Sequence, residues 1–281
     1  MRQMNFPIKF IPYALTLLRM LKMPFSESSL PARAIAKLER RVDFARFKGP
    51  RIIPEFARLY PTAFFVQIGS NDGDQLDPLK IAINTYPWRG IMIEPVPYVF
   101  EGLKRNYGDN SRVRLENVAI SARSGMLPSY HLAKASAEEL KTLPRWYDAL
   151  GSFSRDVVLK HRNFIPDIAE RITERQIPTI TFDELCRRNG VQHVDLLHTD
   201  TEGHDYEILK TIDFQRYRPK LVIYEHHHFS PEDRRACQQL MRDNGYAVFE
   251  EILDTWCLDL HSDPAAARRL RRYWLDDKTT L

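Results

Sequence analysis

The sequence predicts an α/β fold in which helices cover both faces of a mostly parallel, doubly wound sheet. An apolar run, Phe64-Phe65-Val66-Gln67-Ile68, ends in a polar turn that contains two glycines. Strand and helix patterns then alternate three times before residue 120. Such alternation is typical of β-α-β units, whose strands lie parallel in one sheet. Later apolar strands end in polar clusters, at the edge where open α/β sheets bind ligands.

The turn after the first strand, Gly69-Ser70-Asn71-Asp72-Gly73, has the composition of a ligand-binding loop. Glycine lets the backbone turn tightly and approach a ligand closely. The next strand ends in Glu94, about 20 residues farther on, where a nucleotide-binding unit places an acid that accepts hydrogen bonds from ribose hydroxyls. Two glycines with this spacing also occur in ordinary tight turns. The acid favours a nucleoside cofactor.

Local signals predict the elements that follow. Asp77-Pro78 should start a helix that reaches about Tyr86, and Pro95-Val96-Pro97 precedes a helix to about Asn106. A third strand is expected at 113–117, and residues 125–132 could form an extra strand. Residues 135–176 break the alternation, so we expect an inserted helical cap that helps to build an acceptor pocket.

The C-terminal half resumes the alternation. Strands are expected at 178–182, 194–197 and 221–224, followed by an antiparallel final pair at 246–249 and 255–260. Asp183 is expected to cap a helix that ends near Gly190, and Ser230-Pro231 should open one that Gly245 closes. The chain would then divide into an N-terminal helical appendage at 1–60, an α/β domain at 61–262 and a basic C-terminal helix or tail at 263–281.

The composition is that of a soluble globular protein, with 43% hydrophobic and 28% charged residues. A net charge of +4 permits an anionic partner without requiring one. No aromatic RNA-binding signature is present, so we expect no nucleic-acid partner. Three scattered cysteines give neither a disulfide framework nor a thiolate zinc site, and a cytoplasmic location fits best.

Residues 1–21 combine a cationic start with an apolar run, which superficially resembles a signal peptide. The run contains Pro12 and Arg19, lacks a small-residue cleavage site and is too short to span a bilayer. We therefore expect a helix packed on its own domain. A cationic amphipathic segment could also lie on a membrane surface or cover another subunit of a homo-oligomer.

A second polar centre follows the strand at 194–197, where the chain reads His198-Thr199-Asp200-Thr201-Glu202. Along an extended segment alternate residues point the same way, so His198, Asp200 and Glu202 should share one side. The next strand ends in Glu225, which three histidines follow. Consecutive residues on an extended chain point alternately, so these histidines are not expected to form one zinc site.

Together these blocks resemble the FkbM-type S-adenosylmethionine-dependent methyltransferases over roughly residues 60–255. The resemblance rests on residues 66–73, Ile93-Glu94-Pro95, 117–120, Gly151-Ser152-Phe153, 178–185, 195–203 and Tyr224-Glu225. It implies a seven-stranded class I methyltransferase sheet, with S-adenosylmethionine over the ends of the first, second and fourth strands. Many members carry an acid where this chain has Gln67, so a contact from Gln67 to the cofactor's amino group would be a neutral hydrogen bond.

The resemblance also implies roles for single residues. The turn from Gly69 to Gly73 would face the methionine portion of the cofactor, Glu94 the ribose, and Val118 with Ala119 the adenine. The full set implied to bind the cofactor is Gln67, Gly69, Ser70, Asn71, Asp72, Gly73, Glu94, Pro95, Asn117, Val118, Ala119 and Asp200.

Methyl transfer to a hydroxyl requires an acceptor oxygen held in line, exclusion of water and removal of a proton. Imidazole titrates near neutrality, so His198, His204 or His226 could be the base, beside Asp200 as a further catalytic residue. Alternatively, Mg²⁺ or Mn²⁺ bound by Asp200 and Glu225 could acidify the hydroxyl.

The expected function is O-methylation of a hydroxyl on a sugar, glycolipid or secondary metabolite. A nicotinamide-dependent oxidoreductase is an alternative, but the chain lacks G-x-G-x-x-G in the turn, and Asn71-Asp72 puts a carboxylate where pyrophosphate would need backbone donors. A non-catalytic adenosyl-binding protein is the other alternative, and the polar strand end from His198 to Glu202 argues against it.

Overall fold

A computed structural model describes residues 49–74, 77–251 and 253–273 of the 281-residue chain. The chain divides into two units, Met1–Arg51 and Ile52–Leu281, and the architecture below is that of the second. The predictions for the amphipathic N-terminal segment and for residues 274–281 lie outside the described residues.

Two sheets account for the strands of the described residues. The strands are β1 (Phe64–Ile68), β2 (Arg89–Ile93), β3 (Val113–Glu116), β4 (Ala119–Ile120), β5 (Gly125–Leu132), β6 (Gly151–Ser152), β7 (Ile172–Ile180), β8 (Leu196–Thr199), β9 (Leu221–Glu225), β10 (Tyr246–Glu250) and β11 (Asp254–Asp259). The central sheet has the order β10-β11-β9-β8-β1-β2-β3. Within this sheet, β3, β2, β1, β8 and β9 pair in parallel, whereas β11 pairs antiparallel with both β9 and β10. The predicted seven-stranded, mostly parallel sheet with an antiparallel final pair is confirmed.

Helices connect the strands and cover the sheet. They are α1 (Gly49–Leu59), α2 (Lys80–Thr85), α3 (Pro97–Tyr107), α4 (Arg155–Leu159), α5 (Ile168–Arg171), α6 (Phe182–Asn189), α7 (Asp205–Leu209), α8 (Pro231–Asp243) and α9 (Pro264–Leu270). None of these helices in the described part of the chain is long and apolar enough to cross a membrane.

Several helix ends follow the local signals, but α2 begins at Lys80, two residues after the predicted Pro78. Ser230 caps α8 by accepting the Asp233 N–H at 3.0 Å, and Gly190 ends α6 with a φ of +65°. The prediction that Asp183 caps α6 is wrong, because Thr181 Oγ1 accepts the Glu184 N–H at 3.1 Å instead. Threonine is also a favoured capping residue, and Thr181 directly follows the last residue of β7, where the helix starts.

Buried side chains form one core on each face of the central sheet. Along β1, Val66 joins a core with residues of α6 and α8, and Phe65 joins the opposite core with residues of α1 and α3. Successive side chains of a strand point to opposite faces, so the apolar run of β1 fills both cores. This two-sided burial is the doubly wound arrangement that the sequence predicts.

Both ends of the described chain contribute to the core that contains Phe65 and residues of α1. Ile52 and Phe56 of α1 are fully buried there, together with Leu270 of α9. The sequence places the start of the domain at residue 61 and a basic tail after residue 262. In the structure, parts of both segments belong to the core of the α/β domain. The sequence does not reveal this, because their short apolar faces lie among basic residues.

Between β3 and β8 the chain builds the second sheet, in the order β4-β7-β5-β6. Strand β7 runs antiparallel to β5 from Ile172, so residues 172–176, expected in a helical cap, are extended. This part of β7 has no apolar alternation because Glu174, Arg175 and Gln176 are exposed. The remaining part of the expected cap holds the short strand β6, short helices and 3₁₀ turns, and Tyr147 lies in its apolar core.

Candidate functional site

A cavity of about 400 Å³ lies over the carboxyl ends of β1, β2 and β8. The segments 67–71, 93–96, 118–120 and 200–202, together with His198, line it from the side of the central sheet. The inserted segment between β3 and β8 supplies further walls, among them Trp146 and Phe153. In open α/β sheets this edge is the usual place for a ligand.

The glycine turn is tied to the neighbouring strands through its backbone. Ile93 accepts the N–H groups of Gly69 at 3.0 Å and of Ser70 at 2.9 Å, and the Asp200 N–H donates to Ile68 at 2.9 Å. Gly69 has a φ of +79°, and a Cβ there would collide with the backbone oxygen of Asp200. Only glycine therefore lets the turn after β1 lie directly against the turn after β8.

Glu94 is buried in the cavity wall at the end of β2. Its two carboxylate oxygens accept the Asn71 N–H at 3.0 Å and the Val96 N–H at 2.8 Å. Burial raises the pKa of Glu94 to about 7, although these two hydrogen bonds act in the opposite direction. A carboxylate has about four acceptor positions, so two remain for a ligand such as a ribose.

Gln67 and Asp77 form a polar pair in the same wall. Gln67 Nε2 donates to Asp77 Oδ1 at 3.1 Å, and the Leu79 N–H donates to the same oxygen at 2.7 Å. Asp77 Oδ2 and Gln67 Oε1 are buried and have no hydrogen-bond partner among the described residues. Burial raises the pKa of Asp77 to about 6. The pair thus offers the cavity two vacant acceptor atoms, Asp77 Oδ2 and Gln67 Oε1. Asp77 supplies a carboxylate here, although residue 67 itself is neutral.

Three carboxylates meet where β8 and β9 end. One oxygen each from Asp200, Glu202 and Glu225 lies within 4.8 Å of the others. Desolvation by the surrounding protein and, to a smaller extent, repulsion from Glu202 raise the pKa of Asp200 well above its usual range. The Asp200 side chain nevertheless faces the open cavity. Burial and the Asp200 charge raise the pKa of Glu225 in the same way. Oxygen ligands of this kind suit a hard divalent ion.

The chain does not stay extended through this centre. Strand β8 ends at Thr199, and the backbone turns at Glu202 and Gly203, which have φ angles of +52° and +99°. His198, Asp200 and Glu202 all line the cavity, as predicted. Glu202 reaches it through this turn, and not through the alternation of an extended strand. A Glu202 backbone in the left-handed region carries strain that non-glycine residues rarely accept outside functional or tightly packed turns.

The three histidines considered as the base differ in position. His204 lines the cavity with Nε2 3.3 Å from Ser121 Oγ, and burial lowers its pKa. His198 lines the cavity, and its burial lowers its pKa to about 4, with Nδ1 lacking a partner among the described residues. His226 is buried outside the cavity lining, with Nδ1 2.8 Å from Thr255 Oγ1 and Nε2 2.6 Å from the Arg234 guanidinium. Both ring nitrogens of His226 are thus occupied by protein contacts.

The family model described as the Methyltransferase FkbM domain matches residues 67–248, which is more than half of the chain. The chain belongs to the FkbM methyltransferase family. This match confirms the family that the sequence motifs resemble. No curated protein matches the sequence significantly.

Solved structures similar to this FkbM domain are distant in sequence. The FkbM methyltransferase from Methylobacillus flagellatus KT is 12% identical, with a TM-score of 0.44, and the match covers 89% of this chain and 60% of that one. The O-methyltransferase from Bacillus cereus in complex with SAH is 8% identical, with a TM-score of 0.38 and coverage of 91% and 93%. This chain therefore spans less than two thirds of the Methylobacillus protein.

Most of the residues implied to bind the cofactor line the cavity of the FkbM domain, namely Gln67, Gly69, Ser70, Asn71, Glu94, Pro95, Val118, Ala119 and Asp200. Asp72, Gly73 and Asn117 lie outside the lining. Asp72 Oδ1 accepts the Asp74 N–H at 2.9 Å, and Gly73 accepts the Tyr107 hydroxyl at 3.0 Å. Asn117 Nδ2 donates to the Glu94 carbonyl at 2.8 Å. These three residues shape the loops that carry the others.

The FkbM domain also has cavity residues that sequence reasoning did not assign. The sequence predicts Asp77 only as a helix cap. The neutral Gln67, where the family resemblance implies an acid, is a signal that points to a second carboxylate nearby. His161 and His228 also line the cavity. Nothing in their sequence spacing brings them together, because one comes from the insertion and the other follows β9.

Proposed function

We propose that this FkbM domain transfers a methyl group from S-adenosylmethionine to a hydroxyl of a sugar, glycolipid or secondary metabolite. The observation that carries the proposal is a single cavity that joins the Gly69 turn and Glu94 to the carboxylates of Asp200 and Glu225. When bound, the cofactor supplies a methyl group made electrophilic by a sulfonium. An acid-lined cavity suits this positively charged ligand.

The cavity walls divide the recognition of the cofactor among chemically different groups. The vacant acceptor positions of Glu94 suit the two ribose hydroxyls. Asp77, held by Gln67, offers Oδ2 to the ammonium of the methionine portion. Val118 and Ala119 supply an apolar surface for the adenine. This arrangement explains how a chain with a neutral residue 67 can still present a negative charge to the cofactor's amino group.

Asp200 is the stronger candidate for the base. Proton transfer is most efficient when the pKa of the base lies near the working pH. Burial lowers the pKa of His198 to about 4, which makes it a weak base, whereas the pKa of Asp200 is raised. The Mg²⁺ or Mn²⁺ ion expected at Asp200 and Glu225 stays a prediction, as do the cytoplasmic location and the hydroxyl acceptor.

The proposal is tested with methyl-labelled S-adenosylmethionine and a panel of free sugars, glycolipids and hydroxylated metabolites. We expect label in a base-stable ether, and Asp200→Asn should lower the transfer rate at least ~100-fold. Its affinity for S-adenosylhomocysteine should stay within ~0.7 kcal/mol of wild type, or about threefold. The control is Asp183→Asn, at an exposed carboxylate paired with Arg216.

Transfer to amines alone would contradict the O-methyltransferase assignment. Normal transfer by Asp200→Asn would remove Asp200 from the proton-transfer role, and loss of transfer in both aspartate variants would show that the effect is not specific to the cavity.

A further inference from the structure

Two histidines and one glutamate converge in the cavity from distant parts of the chain. His161 lies in the 3₁₀ turn Lys160–Asn163 of the insertion, Glu202 in the turn after β8, and His228 in the loop after β9. One potential ligand atom from each lies within 4.8 Å of the other two, and all three residues line the cavity. We name His161, Glu202 and His228 the histidine–glutamate cluster.

The cluster is enclosed and only partly accounted for by contacts within the protein. The side chain of His228 is 4% exposed and that of Glu202 19% exposed. His228 Nε2 lies 2.8 Å from Glu202 Oε2, but His161 Nδ1 is buried without a hydrogen-bond partner among the described residues. Buried polar atoms of side chains are usually paired, so a vacant imidazole nitrogen beside a second imidazole and a carboxylate indicates a missing partner.

Two imidazoles and one carboxylate form a recognised set of ligands for transition metals. The same donors bind zinc in catalytic sites that keep an open position, and iron in 2-His-1-carboxylate sites. Ligand atoms on one tetrahedral zinc ion lie about 3.4 Å apart, because the metal–ligand bonds are about 2.1 Å long. The potential ligand atoms of the cluster lie within 4.8 Å of one another, so no pair would have to approach by more than about 1.4 Å to bind one ion.

We propose that the histidine–glutamate cluster binds one divalent transition-metal ion such as Zn²⁺, Mn²⁺ or Fe²⁺. Its nitrogen ligands distinguish this site from the oxygen-only site predicted at Asp200 and Glu225, since Mg²⁺ is a poor match for imidazole. The bound ion leaves positions open to the cavity, where a hydroxyl or a phosphate of a ligand can coordinate. It also offsets the negative charge that Glu202 shares with Asp200 and Glu225.

The test uses the full-length chain, stripped of metal with EDTA and titrated with CoCl₂ alone. Visible absorption and calorimetry report the stoichiometry, the ligand type and the affinity. We expect one equivalent of Co²⁺, displaced by Zn²⁺ but not by excess Mg²⁺. His161→Ala and His228→Ala should each lower the Co²⁺ affinity at least ~10-fold, since changes to residues that only support metal ligands already cost about that much.

His193→Ala is the matched control, because His193 is exposed and lies outside the cavity lining. Circular dichroism checks the fold of each variant, and Asp200→Asn should retain Co²⁺ binding. Absence of Co²⁺ binding by the wild type, or equal affinities in the three histidine variants, would overturn the proposal. Loss of binding in Asp200→Asn alone would overturn it too, because the ion would then lie on the carboxylates. The titration contains no cofactor, so its failure is distinguishable from failure of the proposed methyl transfer.

Discussion

Replacing Glu94 by glutamine tests the predicted ribose contact with the smallest change of shape. Glu94 accepts two backbone N–H groups, whereas an amide side chain offers one oxygen, so one N–H is left unpaired. That loss costs about 1–3 kcal/mol. Burial raises the pKa of Glu94 from 4.5 to about 7. At about 1.4 kcal/mol per pKa unit, ionising it at higher pH costs roughly 3 kcal/mol, which the substitution removes.

These two effects oppose each other, so the free energy of unfolding at about pH 8 should change by less than ~2 kcal/mol. Cofactor affinity should change more, because each hydrogen bond to a charged group contributes about 1.5–3 kcal/mol. We expect the affinity for S-adenosylhomocysteine to fall roughly 10–100-fold.

Isothermal titration calorimetry with S-adenosylhomocysteine measures this affinity without turnover. Glu101→Gln is the matched control, since Glu101 is an exposed glutamate of α3 that pairs with Lys104, and it should bind like the wild type. An unchanged affinity in Glu94→Gln, with the fold intact, would refute the reasoning that assigns Glu94 to the ribose.

Two further predictions concern the turn after β1 and the pH dependence of stability. Gly69→Ala puts a Cβ against the backbone of Asp200, whereas Gly190→Ala puts one in open space at a similar φ. Both variants carry about 1–2 kcal/mol of backbone strain. Only Gly69→Ala should lose cofactor binding. Thermal scans should show a larger loss for Gly69→Ala, at about 2–4 °C per kcal/mol. The pKa is raised to about 7 for Glu94 and to about 6 for Asp77, so the folded state binds these protons more tightly than the unfolded state does. The free energy of unfolding should therefore fall as pH rises from about 4 to about 7. Urea unfolding across this range measures the slope, which Glu94→Gln should reduce.

Equal losses of stability and of binding in the two glycine variants would contradict the close approach of Gly69 to Asp200. A stability that rises steadily over the same pH range would show that the buried acids are not the dominant titrating groups.

The fold of the central sheet could be predicted because its signals are local. A few neighbouring residues are enough to identify an apolar strand, the Gly69 turn or the cap of a helix such as α8. Glu94 and Asp200 could be located because residues that follow parallel strands lie at one edge of the sheet. Helical structure at α1 was predicted, but its place in the core was not, because its apolar face is short and lies among basic residues.

The rest of the candidate site depends on contacts between distant segments. Asp77 has a complete local explanation as a residue that binds the Leu79 N–H, so its contact with Gln67 is visible only in three dimensions. His161 and His228 meet because the insertion folds over the loop after β9. His226 has the same residue type as His228 but faces Thr255, and no sequence pattern separates the two.

The central claim is that the cavity holds an adenosyl cofactor with a positive charge. Calorimetric titration of the purified chain with S-adenosylmethionine, S-adenosylhomocysteine and NADH in parallel tests it most directly. We predict micromolar binding of both adenosyl ligands and no binding of NADH, since the carboxylates of Asp77, Asp200 and Glu225 disfavour a pyrophosphate. Binding of NADH without binding of either adenosyl ligand would contradict the claim.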